Sequence, residues 1–342
     1  MKKETIFMMS KNLMKSKIKF KHTSFLIKVK DEESFSRKLV NHINNQNVEA
    51  EFIIADGSIR NQKKIFDKLN SKKKYYYFGN DKNVQKFFLK IYEGIKKCSK
   101  KFIFFCDQDD LINFKAIKND ENFLISNKDY SAIGGGVYEF KYVEDKIKVS
   151  NVCYGIYYFD FKSFFLRYFF NNFNSYYYLH RKKNLKKIWS LVKKNKLHDI
   201  RSASFLEDFY TIVSGRIKYH RITTVLRWAG IKKRDLKDNT HFNDQVHKNK
   251  YQWFKYFFSE QQNLIKSILK SNRIFFNNFY FFKIYYFIFI IVLRNMFRKN
   301  IMYKFFKKII FKIKDKNPFN SQIKTFNKLK LKEIINQRDL FI

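Results

Sequence analysis

Short apolar segments alternate with amphipathic helical patterns through the first third of the chain, and this alternation limits the possible folds more than any other feature. The strand-like segments are residues 24–29, 51–55, 75–78 and 101–106. The helical patterns between them repeat apolar side chains every three or four residues over 33–43, 61–69 and 82–97. Strands and helices in this rhythm predict βαβ units and a mainly parallel sheet.

Acidic side chains directly follow three of these four strands. Asp31 and Glu32 follow the first strand, the segment Asp56-Gly57-Ser58 follows the second, and Asp107-Gln108-Asp109-Asp110 follows the fourth. In an open parallel sheet, ligands bind beyond the carboxyl ends of the strands. Three acidic strand ends that converge on one crevice therefore predict a binding site.

The segment Asp107-Gln108-Asp109-Asp110 has the most specific pattern. Carboxylates two residues apart at a strand end can share a hard divalent cation, Mg²⁺ or Mn²⁺, with a diphosphate. The alternative is an exposed acidic turn that caps the next helix. A fully apolar preceding strand, in a chain with only 30 acidic residues against 71 basic ones, favours the metal site.

Two further acidic segments have less specific patterns, and each has two interpretations. Asp56 is either a ligand-binding carboxylate or the cap of a turn or helix. Glu207 and Asp208 adjoin an apolar helix face, where one of them would serve as a general base. Alternatively, both are first-turn charges that complement the helix dipole.

The middle of the chain is less regular. Gly134-Gly135-Gly136 lacks the spacing of a phosphate-binding loop, and we expect it to let the backbone approach a ligand or another strand closely. A strand is predicted at 137–140. Helices are predicted at about 182–195 and from about residue 205 onward.

The formal net charge of +41 favours a polyanionic partner, which includes nucleic acid, an anionic membrane surface or a phosphate-rich substrate. Nucleic acid is the less favoured partner, because no zinc-finger spacing, RNP-like motif or clear helix-turn-helix is present. The basic residues are also spread along the whole chain. An aromatic and basic pattern from Tyr303 to Lys316 suits an amphipathic helix on an anionic membrane. Packing against the rest of the protein is its alternative.

The chain shows none of the sequence marks of secretion or membrane insertion. Its start, Met1-Lys2-Lys3-Glu4, lacks an apolar signal-peptide core, and its longest apolar run, Ile284–Leu293, is too short to span a bilayer. The three cysteines have no metal-ligand spacing. We expect a cytoplasmic protein with a basic tail at 1–22, a catalytic-type domain at 23–250 and a helical, basic C-terminal region at 251–342.

In their order along the chain, these segments resemble the family-2-type glycosyltransferases of the GT-A fold, and within them the bacterial surface-polysaccharide enzymes. The resemblance covers about residues 23–230. It rests on the three acidic strand ends, on Glu207-Asp208, and on the segments Tyr176–Arg181 and Thr224–Arg227. It implies an α/β, GT-A-like fold with a mixed, mostly parallel sheet flanked by helices, followed by the basic helical appendage.

The resemblance also implies how a nucleotide-sugar donor is bound. Asp31 or Glu32, together with Asp56 and Ser58, would hold the nucleoside. Asp107 would contact the ribose or diphosphate. Asp109 would ligate Mg²⁺ or Mn²⁺, with Asp107 and Asp110 beside it as further metal ligands.

The same resemblance implies inverting transfer to a saccharide acceptor, which is lipid-linked in many such enzymes, with the protein on the inner face of the cytoplasmic membrane. Asp208, or else Glu207, would be the catalytic base. Two departures from the family pattern stand out: Lys28-Val29-Lys30 replaces a segment in which proline is common, and Gln108 lies inside the acidic motif. A catalytically inactive scaffold of this fold is the remaining alternative.

Overall fold

The computed structural model describes residues 17–81, 83–143, 146–154, 162, 175–195, 197, 200–228 and 268. All of them belong to the first of two compact units, Met1–Ile268. The predicted C-terminal region, Ile268 apart, and most of the predicted N-terminal tail lie outside the described residues. Within the described part, no helix is both long and apolar enough to cross a membrane.

The N-terminal half is a run of βαβ units, as the sequence pattern predicted. Its elements are β1 (Ile18–Val29), α1 (Glu33–Asn45), β2 (Val48–Asp56), α2 (Lys63–Phe66), β3 (Lys72–Tyr77), α3 (Val84–Lys97) and β4 (Phe102–Asp107). The four strands are parallel and lie in the order β3-β2-β1-β4. The strand order therefore reverses beside β1, where ligands bind in sheets of this kind.

The second half extends the same sheet with mixed strand directions. Its elements are β5 (Asp110–Ile112), α4 (Phe114–Ser126), β6 (Tyr130–Val143), β7 (Lys146–Tyr154), β8 (Leu179–Arg181), α5 (Lys182–Lys194), α6 (Ile200–Ser214) and β9 (Arg216–Trp228). From β4 the order continues β8-β6-β9-β5, and β7 pairs with β6. Strand β8 is antiparallel to both β4 and β6, whereas β6 and β9 are parallel. The predicted α/β fold with a mixed sheet and flanking helices is confirmed.

Aromatic side chains fill the core beneath the central strands. Phe25 of β1 stacks on Phe52 of β2 at 5.2 Å between ring centroids, and it meets the edge of Phe114 of α4 at 5.3 Å. The ring centroid of Phe104 of β4 lies 5.9 Å from that of Phe25. Such aromatic pairs add stabilisation beyond their buried area. The high phenylalanine content therefore contributes directly to the packing of the central sheet.

Several predicted boundaries differ from the structure. Strand β1 begins at Ile18, inside the predicted N-terminal tail, and α2 spans only four residues. The glycine run lies inside β6 and not before it. A side chain at Gly134 would come within 2.4 Å of the Tyr178 ring, and one at Gly135 within 2.0 Å of the Ile222 carbonyl oxygen. The expected close approach to another strand is thus the reason for these glycines.

The first part of β1 is anchored by a buried carboxylate from α4. The register of β1 against β2 shifts between Lys19 and Ser24. At this irregularity, the fully buried Glu121 accepts hydrogen bonds from the His22 backbone amide at 3.0 Å and from the Thr23 hydroxyl at 2.7 Å. Hydrogen bonds from Lys118 and these donors outweigh burial and lower the pKa of Glu121. The carboxylate thus replaces sheet hydrogen bonds at the shift.

We predict that Glu121→Ala lowers the free energy of unfolding by about 2–4 kcal/mol, because it leaves the buried donors at the shift unsatisfied. Urea denaturation followed by circular dichroism measures this change. Glu49→Ala is the matched control, since Glu49 pairs with Lys17 and Lys19 at the surface end of the same strand. Equal effects of the two substitutions would contradict the anchoring role of Glu121.

Candidate functional site

The three acidic strand ends lie side by side at one edge of the sheet. In the register of the parallel strands, Val29 of β1 is opposite Asp56 of β2, and Lys28 of β1 is opposite Asp107 of β4. The sheet therefore brings together the residues that follow these strands, as the sequence predicted. The crevice at this edge is the candidate active site.

Hydrogen bonds connect the end of β1 to the loop that follows β2. Asp31 has a left-handed backbone with φ of 57°, a conformation that aspartate tolerates better than most residues. Its amide donates to the Ser58 hydroxyl at 2.8 Å, and its carboxylate accepts the Ile59 amide at 2.8 Å. Asp31 and Glu32 are exposed at this position. Asp31 and Ser58 are thus directly joined, while Glu32 borders the crevice.

Gln108 connects the end of β1 to the end of β4. Its amide nitrogen donates to the Lys30 carbonyl oxygen at 2.7 Å, and its amide oxygen accepts the Lys30 backbone amide at 2.8 Å. The side chain is buried and imitates one rung of a sheet. Glutamine suits this position because it offers both a donor and an acceptor, which a carboxylate does not.

Asp56 is buried beneath the second loop and organises it. Its carboxylate accepts the backbone amides of Ser58 and Gln62, each at 2.8 Å, and the hydroxyl of Tyr75. Both oxygens are therefore engaged within the protein, and the residue is inaccessible to solvent. The structure supports the turn-capping interpretation of Asp56; its contact with a nucleoside stays a prediction.

A buried ion pair lies directly under the same loop. Lys90 of α3 and Asp81 pair with both side chains 1% exposed, and Lys90 also donates to the Val29 carbonyl oxygen at 3.2 Å. A side chain at Gly57 would come within 2.3 Å of the Asp81 carboxylate. Burial lowers the pKa of Lys90, and the charge of Asp81 opposes that shift. Glycine is thus required where the loop crosses this pair.

Asp107 is held by one lysine and two tyrosines. The Lys28 ammonium lies 2.9 Å from Oδ1, the Tyr176 hydroxyl donates to Oδ1 at 3.1 Å, and the Tyr177 hydroxyl donates to Oδ2 at 3.3 Å. Burial alone would raise the pKa of Asp107, but the adjacent charge of Lys28 outweighs it and lowers that pKa. Asp107 is therefore an ionised, fixed and partly exposed carboxylate in the crevice.

Asp109 and Asp110 occupy different environments. Asp110 is buried, where its carboxylate accepts the Asp107 backbone amide at 2.8 Å and the Tyr177 hydroxyl at 3.4 Å. Burial, with the negative charges of Asp107 and Asp109, raises the pKa of Asp110 well above its usual value. Asp109 lies in the turn between β4 and β5 and is partly exposed. Of these three predicted metal ligands, Asp107 and Asp109 are more exposed than Asp110.

This arrangement fits a metal that is held mainly by its substrate. Among the described residues, no three His, Cys, Asp or Glu side chains converge in a metal-binding group. Mg²⁺ commonly uses only one or two protein carboxylates and takes its other ligands from substrate phosphates and water. Asp109, at the partly exposed turn, suits this role.

Glu207 and Asp208 lie in the middle of α6, so the interpretation as first-turn charges is wrong. Asp208 accepts the amide of Ser175 at 2.7 Å and its hydroxyl at 2.5 Å, both at Oδ1. Glu207 accepts the indole N–H of Trp189 at 2.7 Å, and His180 lies 3.9 Å away. Both carboxyl groups are buried.

Burial separates the protonation states of these two acids. It raises the pKa of Glu207 to about 8, with a further contribution from the charge of Asp208. It raises the pKa of Asp208 to about 6, against the hydrogen bonds from Ser175. Burial also lowers the pKa of His180 to about 4, so this ring is neutral near pH 7. Near neutral pH, Asp208 is ionised and Glu207 is protonated.

One short segment links this acid pair to the strand-end cluster. Ser175 is bound by Asp208, and the next two residues, Tyr176 and Tyr177, bind Asp107. The predicted base and the predicted diphosphate ligand thus share one support. Sequence reasoning identified Tyr176–Arg181 as a matching segment but missed the roles of its tyrosines. It also missed the pairing of Lys28, whose only signal was a charged residue in an otherwise apolar strand.

The fold, a mixed and mostly parallel sheet flanked by helices, is of the GT-A type. The family model for glycosyl transferase family 2 matches residues 24–192, about half of the chain, and this match includes the second half of β1, all of β2 to β4 and the Asp107–Asp110 segment. The chain belongs to glycosyltransferase family 2. No curated protein matches the sequence significantly.

Solved structures of S. aureus TarS show a distant likeness. One TarS structure has 15% identity and a TM-score of 0.43 over 64% of this chain and 38% of that chain. TarS 1-349 in complex with UDP has 14% identity and a TM-score of 0.42, over 72% and 70% of the two chains. The complex with UDP-GlcNAc has 14% identity and a TM-score of 0.41, over 72% and 71%. This chain thus spans well under half of the first structure, and the family match alone carries the classification.

We predict that Glu207 makes the protein less stable as the pH rises. Because the folded pKa of about 8 lies above the ordinary glutamate value of 4.5, the folded state binds the proton more tightly than the unfolded state. The stabilisation of the folded state by this proton is complete below about pH 4.5 and is lost as the pH rises to about 8. Glu207→Gln should therefore exceed the wild type in unfolding free energy at about pH 8.5, by on the order of 2–4 kcal/mol.

Urea denaturation at about pH 5.5 and pH 8.5 measures this difference. Glu33→Gln, which changes an exposed glutamate paired with Arg37, is the control and should retain the wild-type pH dependence. An unchanged pH dependence in Glu207→Gln would show that Glu207 does not hold the proton.

Proposed function

We propose that this enzyme transfers a sugar from a nucleotide-sugar donor to a saccharide hydroxyl with inversion at the anomeric carbon, in the synthesis of a surface polysaccharide. The observation that carries the proposal is the hydrogen-bonded alignment of the ends of β1, β2 and β4. It brings the residues predicted to contact the nucleoside and those predicted to contact the diphosphate to one edge of the sheet.

The donor nucleoside would bind at the joined ends of β1 and β2. Asp31 and Glu32 border this position, Ser58 lies buried beneath Asp31, and Asp56 supports the loop through Ser58 and Gln62. The diphosphate would lie toward β4, beside Asp107. The TarS complexes with UDP and UDP-GlcNAc make uridine nucleotides sensible first probes, although the nucleotide of this enzyme is left open.

A divalent cation, Mg²⁺ or Mn²⁺, would be held by Asp109 together with the donor diphosphate. When bound, it would neutralise the charge that develops on the leaving nucleoside diphosphate. Asp107 and Asp110 complete the predicted ligand set, but Asp107 already pairs with Lys28 and Asp110 is buried. The protein ligation is therefore centred on Asp109 in this proposal.

Asp208 is the proposed catalytic base. Near pH 7 it is the ionised member of the acid pair, since the pKa of Asp208 is about 6 and that of Glu207 about 8. Its two hydrogen bonds from Ser175 end on Oδ1, so Oδ2 is the oxygen that would accept the proton of the acceptor hydroxyl. That hydroxyl oxygen would attack the anomeric carbon as the bond to the diphosphate breaks.

The acceptor and the location of the enzyme complete the proposal. A lipid-linked saccharide acceptor would place the protein in the cytoplasm, at the inner face of the membrane. The net charge of +41 would favour adsorption to anionic lipid. Nucleic acid is not a partner in this proposal, because the acidic crevice would repel it.

We predict that Asp109→Ala abolishes metal-dependent binding of the nucleotide while the protein stays folded. Asp109 lies in a partly exposed turn, so its removal should leave the core intact. Calorimetric titration with UDP, GDP and CMP, with and without Mn²⁺, measures the binding. Asp67→Ala, which breaks an exposed pair with Lys63, is the control and should bind as the wild type does. Unchanged metal-dependent binding in Asp109→Ala would refute the metal assignment.

We predict that Asp208→Asn lowers the rate of the chemical step by about 10²-fold or more, with little change in donor affinity. Asparagine keeps the size and the acceptor oxygen for Ser175 but cannot take a proton at neutral pH. Release of the nucleoside diphosphate from the donor found by calorimetry measures the rate. Glu207→Gln is the comparison and should retain most of the rate at pH 7; the opposite ranking would assign the base to Glu207.

A further inference from the structure

Lys28 is a charged residue at the centre of an apolar sheet. It lies in β1 between Ile27 and Val29, its side chain is 3% exposed, and its neighbours across the sheet are Ala55 of β2 and Asp107 of β4. Its ammonium lies 3.7 Å from the centre of the Tyr176 ring, in addition to its ion pair with Asp107.

Burying such a pair is expensive, so the pair needs an explanation other than stability. The desolvation of two charges commonly offsets their attraction, and well-packed apolar residues at such positions are often at least as stable. The rest of β1 from Phe25 to Val29 is apolar and fully buried. Charge at this one position points to a requirement of the adjoining crevice.

Both oxygens of the Asp107 carboxylate are already contacted by donors. Oδ1 is contacted by Lys28 at 2.9 Å and by Tyr176 at 3.1 Å, and Oδ2 is contacted by Tyr176 and Tyr177, each at 3.3 Å. These contacts come from three donors, because the single Tyr176 hydroxyl hydrogen is shared between the two oxygens, and an ionised carboxylate offers about four acceptor positions. A metal ion at Asp107 would compete with these donors and would be repelled by the ammonium of Lys28.

We propose that Lys28 is a resident cation of the donor site: it occupies the place beside Asp107 that a divalent metal would take, and its positive charge favours the donor diphosphate. The metal is then left to Asp109. Because its ammonium is buried, Lys28 acts on the diphosphate through its electrostatic field and through Asp107, and not by direct contact. Because Lys28 is buried, its field is screened by water and salt less than that of an exposed lysine. Lys28 is thus a positioning residue, and the inference rests on the proposed function.

The wild-type protein provides the first test. Inorganic pyrophosphate is the probe, because it presents a diphosphate without a nucleoside. With EDTA present to remove metal, calorimetry should still detect pyrophosphate binding. Failure to detect it, in a protein that binds UDP with Mn²⁺, would overturn the inference and leave the proposed function intact. Failure of both ligands to bind would instead refute the proposed function.

Lys28→Met gives the decisive comparison, because the inference predicts opposite changes for two ligands. Without metal, the Kd for pyrophosphate should rise about tenfold, because the attraction of one buried positive charge is lost. Without pyrophosphate, the Kd for Mn²⁺, measured by the electron paramagnetic resonance signal of free Mn²⁺, should fall, because Asp107 becomes available to the metal. A purely structural role of Lys28 would weaken both or change neither, and either result would overturn the inference.

Two further variants complete the design. Lys19→Met makes the same change on the same strand at an exposed lysine, and both constants should stay at the wild-type values. Asp107→Asn removes the negative partner at nearly constant shape. It should tighten metal-free pyrophosphate binding, because the charge of Lys28 is no longer neutralised. Weaker metal-free binding in Asp107→Asn would contradict the inference even where Lys28→Met does not fold.

Discussion

A lysine buried in the centre of a sheet requires an anionic partner, and the pair that Lys28 forms with Asp107 determines how the residues around the crevice are arranged. Tyr176 covers the ammonium of Lys28 with its ring and donates a hydrogen bond from its hydroxyl to the carboxylate of Asp107, so it contacts both charged groups. Tyr177 extends the contact to Asp110, and Ser175 carries it on to Asp208. The segment that follows residue 174 is therefore positioned by the electrostatics of β1 and β4.

Four acidic side chains of the site, Asp107, Asp110, Glu207 and Asp208, show how burial gives similar side chains different pKa values. Burial and a neighbouring carboxylate raise the pKa of Asp110 and of Glu207, whereas the charge of Lys28 lowers the pKa of Asp107. Asp208 lies between these limits, with a pKa of about 6. A site with many acidic residues thus contains fewer negative charges than its sequence suggests, which reduces the repulsion of a diphosphate.

The sequence pattern predicted the parallel strands and their acidic ends because both features are visible within short stretches of consecutive residues. The alternation of β1 to β4 with helices, and the positions of Asp31, Asp56 and Asp107, needed only periodicity and the rule that parallel strands end at one edge. The hydrogen bonds from Tyr75 to Asp56 and from Tyr176 to Asp107 join residues that are 19 and 69 positions apart, and no local pattern encodes such contacts. The start of α6 was misplaced because residues 200–204 combine charged, polar and small residues with little apolar periodicity.

The glutamine that joins the ends of β1 and β4 has a mechanical consequence. Because Gln108 binds both backbone groups of Lys30, and Asp31 binds the loop of Ser58, the three strand ends cannot shift independently. Neighbouring strands are about 4.8 Å apart, so Asp56 and Asp107, on either side of β1, are separated by a fixed gap of about two strand spacings. The sheet therefore fixes the distance between the two carboxylates, and a change of donor preference would have to arise in the surrounding loops.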